Sequence, residues 1–158
     1  MRLVLASLAL VLAACSPSPT GAAQSAQTAS AVHPVSGLEV IPLTVIRGDK
    51  RLTFQVEVAK GPIEQGRGLM FRTAMGADEG MLFPINPPRM AGFWMRNTVI
   101  PLDLLFVGPD GRILNIAANA VPYDETSLKS AAPVKAVLEL NGGRAAALGI
   151  VPGDRVEW

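Results

Sequence analysis

The stretch "RLTFQVEVA", Arg51 to Ala59, sets Leu52, Phe54, Val56 and Val58 against Thr53, Gln55 and Glu57. Strict alternation over this length puts one row of side chains on each face of a strand, with one face buried and the other wet. Such a strand needs partners along its edges and a cover for its apolar face, and the rest of the sequence can supply both. Val40 to Ile46, followed by "RGDK", predicts a hairpin into it. "LDLLFV" (Leu102 to Val107), the turn "GPDG" and "RILNIA" (Arg112 to Ala117) predict a second hairpin, whose first strand is apolar enough to be buried on both faces. "KAVLEL" (Lys135 to Leu140) and the terminal "DRVEW" add two more strands. Helix is scarce. Pro62 opens a short helix in "PIEQGRGLM", weakened by Gly66 and Gly68, and "GRAAALG" (Gly143 to Gly149) reads as another with Gly149 as its C-cap. The sum is a mainly β fold, an antiparallel sandwich or a partly open barrel with one or two short helices. Residues 71–92 have no readable order and are expected to contain a long surface loop.

The N-terminus reads differently. Met1 and Arg2 form a short positive region, "LVLASLALVLAA" (Leu3 to Ala14) is apolar, and "LAAC" closes it at Cys15, the chain's single cysteine. The apolar run is too short for a bilayer span, which needs about 20 residues, and fits an export signal. A branched residue, two small ones and then cysteine resembles the bacterial lipoprotein signal, which implies an acylated Cys15 as mature N-terminus. Two or three acyl chains at ~0.8 kcal/mol per buried methylene make a lasting anchor. Residues 1–14 are thus expected to be a signal peptide, and 15–37 the lipidated cysteine with a flexible tether of Ser, Pro, Ala, Gln and Thr. Residues 38–158 are expected to be one β-rich domain. His33, the only histidine, falls in the tether and is expected to be solvated there. The expected location is the cell envelope, at the outer membrane if the host has two, because Ser16 is not the aspartate associated with inner-membrane retention.

Charge and residue counts then exclude whole classes of chemistry. The chain has 14 basic and 13 acidic side chains, and Arg2 is the only charged one before Glu39, so the folded part is formally neutral. It lacks the basic excess that a phosphate backbone attracts, and no nucleic-acid partner is expected. With no histidine or cysteine after His33, a Ser-His-Asp triad and a histidine or thiolate metal site are both missing their central group, and no cofactor is expected.

Four ordered blocks point to a family. "VEVAKGPIEQGRGLMFR" (Val56 to Arg72), "GMLFPI" (Gly80 to Ile85), "FWMRNTVIPLDLLFVGPDGRI" (Phe93 to Ile113) and "VKAVLELNGGRAAALGIVPGD" (Val134 to Asp154) resemble, in order and spacing, the bacterial and archaeal family called domain of unknown function 192. The resemblance runs from about Glu39 to Trp158. It implies a compact, β-rich, often exported domain, and no activity.

The remaining candidates are recognition residues. "GRGLMFR" offers Arg67 and Arg72 beside Met70, and "FWMRN" offers Trp94, Met95, Arg96 and Asn97, the aromatic, guanidinium and amide groups that grip sugars, carboxylates or peptide ends. Asp103 and Glu139 are carboxylates inside apolar strands. They are expected either to serve the ligand site or to pair with backbone amides or with an arginine such as Arg67 or Arg96. A non-catalytic module binding a small ligand, glycan or peptide is the expected function. The alternatives are an envelope hydrolase using Asp103 and Glu139 as a carboxylate pair, and a Cu(I) site built from Met70, Met75, Met81, Met90 and Met95.

Overall fold

The alternating segment becomes strand β3 (Lys50–Val58), paired antiparallel with β2 (Glu39–Arg47) from Arg47↔Lys50 to Val40↔Glu57. Gly48, at φ +56°, makes the tight turn between them. The computed structural model describes residues 31–158. The signal peptide, Cys15 and the tether up to residue 30 lie outside the described residues. Ordered pairing begins before the expected boundary at Leu38, because Ala31 and Val32 form β1 against Val40 and Glu39.

After β3 the chain does not turn back. It crosses over through α1 (Pro62–Arg67) and a long connection, then re-enters as β4 (Glu79–Arg89), parallel to β3. Pro62 at the start of α1 has no N–H to leave unpaired, and the Glu64 carboxylate accepts the N–H groups of Lys60 and Gly61, both at 2.7 Å. The sheet continues through β9 (Val134–Asn141), β6 (Leu102–Val107) and β7 (Ile113–Ala120), giving the order β1-β2-β3-β4-β9-β6-β7, with β10 (Arg155–Glu157) also on β2. Among the described residues the fold is mainly β with two short helices, and its mixed sheet is not closed into a barrel. It curls far enough for Ile113 N–H to reach Asp154 O (2.9 Å) and Val156 N–H to reach Gly111 O (2.8 Å), so the start of β7 lies beside β10.

Segment 71–92 is where expectation and structure part. It contains β4, the whole left neighbour of the central strand β9, and not only a loop. Gly80 belongs in that strand for a steric reason, since a Cβ there would lie 2.6 Å from the Glu139 carbonyl oxygen.

The sheet divides the core in two. On one face Leu43, Val45, Phe54, Val56, Leu82, Leu105, Leu138 and Leu140 pack beneath α2 (Arg144–Leu148) and the β10 end. On the other, Met81, Phe83, Leu104, Phe106 and Val137 are covered by Leu69, Ala91 and Met95 from loops. At roughly 25 cal/mol per Å² of apolar surface removed from water, both layers contribute to holding one sheet. None of the helices in the described residues is long and apolar enough to cross a membrane.

Candidate functional site

Register decides which side chains can meet. Glu139 on β9 is opposite Met81 on β4 and Leu104 on β6, and Met81 is opposite Glu57 on β3. Cross-strand partners project to the same face, so Glu57, Met81, Glu139 and Leu104 form one row. Asp103 is opposite Leu140 and therefore belongs to the other face. The two carboxylates read as a pair in the sequence are separated by the sheet itself.

Asp103 is fully buried and fully engaged. Oδ1 accepts the N–H groups of Asn119 (2.8 Å) and Gly143 (3.0 Å), and Oδ2 accepts that of Ala145 (2.8 Å). It fastens the start of α2 to β6 and β7, a structural task on the face away from the cleft.

Glu139 is the opposite case. It is 5% exposed, and among the described residues no hydrogen bond or ion pair reaches its carboxyl group. Burial alone pushes its pKa up from 4.5 to about 8. It stands at the floor of a cleft of about 380 Å³ whose lining includes Arg67, Leu69, Met70, Phe83, Arg89 and Trp94. A buried, unpartnered acid in a cleft calls for an explanation and is a functional-site candidate.

Loops held by backbone bonds shape the cleft. Gly68, at φ +47°, ends α1 and lets the following loop lie on the Phe83 ring, which a Cβ would approach to 3.3 Å. Gln65 ties the same helix to the sheet by donating to Ala59 O (3.1 Å) and Pro84 O (2.8 Å). The opposite wall starts at β5 (Gly92–Phe93), which pairs with β8 (Leu128–Lys129), and Phe93 packs edge-on against Phe83 at 5.1 Å and Phe106 at 6.4 Å. Trp94 then turns outward, 50% exposed, with the Arg96 guanidinium 5.7 Å from its ring. Met95 N–H bonds Asp124 O (2.7 Å), Tyr123 N–H bonds Met95 O (3.1 Å) and Phe71 N–H bonds Asn97 O (2.8 Å). Phe71, Asn97 and Tyr123 all hold left-handed backbone, at φ 62°, 55° and 64°. Asn adopts this region readily, but for Phe71 and Tyr123 it is costly, and two such residues on loops that meet here are local strain of the kind that clusters at functional sites.

The expected site residues therefore separate. Arg67, Met70, Trp94 and Glu139 come together around the cleft. Met95 does not, being buried in the core. Asn97 turns its amide to the Met70 sulfur at 3.8 Å, and Asp103 is on the far face. Neither arginine pairs with the strand carboxylates: Arg96 lies 3.9 Å from Glu125, and Arg67 has no ion pair among the described residues. Of the methionines, Met81 is core and Met90 is exposed, while Met70 lines the cleft. Among the described residues no group of His, Cys, Asp or Glu could hold a metal ion.

Sequence reasoning missed Arg89 and Thr98 in the lining, and it missed Glu57 as the partner of Arg72. Arg72 grips Glu57 with both nitrogens, at 2.9 and 3.0 Å, and the Ser36 hydroxyl donates to the same carboxylate. His33, expected to be solvated, stands 3.6 Å from Glu57 and 3.3 Å from Arg72, and is only partly exposed. The signal available was Glu57 itself, which sits on the polar side of an alternating strand yet next to Val56 and Val58. A second groove of about 530 Å³, lined by Ser36, Ile63, Phe71 and Arg72, adjoins the cleft through Arg67, Gly68 and Met70.

Comparison with known proteins bears on this geometry. The family model for DUF192, described as "Uncharacterized ACR", matches residues 44–158. The chain belongs to this family. Among curated proteins none matches. A protein of unknown function from Novosphingobium aromaticivorans DSM 12444 is 63% identical, with a TM-score of 0.81 over 84% of this chain and 94% of its own. A Sinorhizobium meliloti 1021 protein, described as a candidate transcription regulator, is 41% identical, with a TM-score of 0.74 over 76% of this chain and 94% of its own. Similarity at this level carries the DUF192 fold to all three chains and assigns no reaction to any.

Proposed function

We propose that this DUF192 chain is a non-catalytic ligand-binding module of the cell envelope, held to the membrane through lipid on Cys15, whose cleft takes a small ligand or the end of a glycan or peptide. One observation carries the reading: the Glu139 carboxyl is buried without a partner at the floor of a cleft whose lining also offers Trp94, Arg67 and Arg89. A protein leaves a buried acid unmatched at a cost of kilocalories unless a ligand supplies the partner. The cleft volume is within the usual range for small-molecule sites.

A hydrolase acting through two carboxylates has less behind it. Both groups must flank one bond, about 5 to 10 Å apart. Asp103 lies across the sheet and Glu57 is neutralised by Arg72. The regulator description of the Sinorhizobium protein finds little echo in this chain, whose residues after Arg2 are formally neutral.

Native mass spectrometry of the full chain, purified from its own host, tests the reading. A co-purifying mass that disappears in Trp94→Ala is the expected result, and a clean apo spectrum of the wild type overturns it. The anchor has its own test. Cys15→Ala should move the protein from the membrane fraction to soluble protein or unprocessed precursor, and normal processing with unchanged membrane association refutes lipidation.

A further inference from the structure

We infer that the ligand of this cleft is a zwitterion, with its ammonium end on Glu139 and its anionic end toward Arg67 and Arg89. The inference rests on the binding reading above and adds the chemical class. The floor supplies one carboxyl group with no partner, and Phe83, Phe93 and Trp94 line the same cleft. A carboxylate among aromatic rings is the setting in which proteins hold an ammonium group. The lining also includes two guanidinium groups with no acid opposite them. Arg67 has no ion pair among the described residues, and Arg89 makes only a 3.5 Å contact to Met90 O. A simple cation would face both guanidinium groups, and a simple anion would leave Glu139 unmatched. A molecule with one charge of each sign satisfies all three.

The spacing sets a length. Arg89 pairs with Val134, at the opposite end of β9 from Glu139. At about 3.3 Å per residue these ends are roughly 16 Å apart along the strand, and the reach of the arginine reduces the span to on the order of 10 Å. Three extended amino-acid residues cover about that distance. Amino-acid chemistry in a short peptide therefore fits. A phosphoethanolamine headgroup offers the same two charges on a shorter frame.

Binding is coupled to one proton. An acid with a pKa of about 8 is mostly neutral at pH 7, so seating an ammonium group beside it releases its proton to solvent. Around Glu139, Met81 and Leu104 are uncharged, Glu57 is ion-paired to Arg72, Arg67 and Arg89 present guanidinium groups, and Thr98 and Ser127 carry only hydroxyls.

Isothermal titration of the full chain separates the outcomes. The probes are tri-alanine, its N-acetyl form without the ammonium, its C-terminal amide without the carboxylate, O-phosphoethanolamine and chitobiose. Tri-alanine should bind roughly eightfold to tenfold more tightly at pH 7 than at pH 6, peak near pH 8 and weaken above it, where its own α-amino group loses its proton. N-acetylation should cost tenfold or more, Arg67→Ala should weaken tri-alanine and not its amide, and Glu139→Gln should abolish the gain from pH 6 to pH 7. Phosphoethanolamine binding more tightly than tri-alanine assigns the zwitterion to a headgroup, and the reverse assigns it to a peptide. Chitobiose or N-acetyl tri-alanine binding as well as tri-alanine, unchanged in Glu139→Gln, overturns the zwitterion while leaving the binding module intact. No binding by any probe overturns it as well, whereas the module fails separately on a clean native mass spectrum.

Discussion

Replacing Glu139 with glutamine should make the protein more stable, and by an amount that depends on pH. In the unfolded chain this acid titrates near 4.5, and in the fold, burial holds it near 8. Between those values the native state keeps a proton that the unfolded state has lost. Stability is therefore greatest below the unfolded pKa, falls as pH rises, and levels off once pH exceeds the folded pKa. At 1.36 kcal/mol per pKa unit the loss is roughly 4 kcal/mol between pH 5 and pH 9, and about 3 kcal/mol is already gone at pH 7. Glutamine has the same shape and no charge, but leaves an unpartnered amide that costs about 1–2 kcal/mol. The two proteins should match near pH 5, and Glu139→Gln should gain on the wild type above it, melting several degrees higher at pH 8. Urea denaturation at half-unit pH intervals, with both proteins in the same buffers, measures this directly. A wild-type stability that stays flat from pH 5 to pH 9, or a variant less stable at pH 8, would mean that the carboxyl has a partner or open water and is no unmatched acid at the cleft floor.

The carboxylate on the other face should behave in reverse. Asp103→Ala strands the N–H groups of Asn119, Gly143 and Ala145, and should cost about 3 kcal/mol or more by urea denaturation, with no change in the wild-type pH slope assigned to Glu139. Arg72→Met leaves the buried Glu57 charge without its guanidinium partner and should cost about 3–5 kcal/mol, of which the double variant Glu57→Gln, Arg72→Met recovers a large part; additive losses in that cycle would contradict the pairing. Gly80→Ala drives a methyl group against the Glu139 carbonyl oxygen and should cost about 1–3 kcal/mol, with faster amide exchange confined to β4 and β9.

Much of the sheet can be read from local pattern. The alternation at Leu52 to Val58 is β3, the apolar run from Leu102 is β6, and Pro62 and Gly149 mark a helix start and a helix end. Strand β4 is hidden because its evidence is not local. "GMLFPINPPR" carries three prolines and is buried on both sides where it is regular, so it shows neither alternation nor a clean apolar run. Its place beside β3 comes from the crossover through α1, which no short window reveals. The parallel pairing, and with it the mixed sheet, was hidden for the same reason.

The site was half legible. Trp94, Arg67 and Met70 could be named because residue type alone makes them useful at a surface. Glu139 could be named because an acid in an apolar strand demands an explanation. Which face it uses was beyond the sequence, since Asp103 and Glu139 look alike until the register Leu104↔Glu139 and Asp103↔Leu140 separates them. Glu57 was hidden by its own strand, because an outward position on an alternating pattern predicts water, and only a covering segment from elsewhere makes it buried.

That covering segment has a mechanical consequence. The described chain begins as β1, two residues paired edge-on with β2, and then passes His33 and Ser36 over the Glu57–Arg72 pair. A pull on the N-terminal side loads these contacts in series, peeling β1 one pair at a time before any central strand feels tension. The contacts of His33 and Ser36 to that pair are the next fastenings in the load path. Ser36 also lines the groove that adjoins the cleft, so tension on β1 is passed to the wall next to the candidate site.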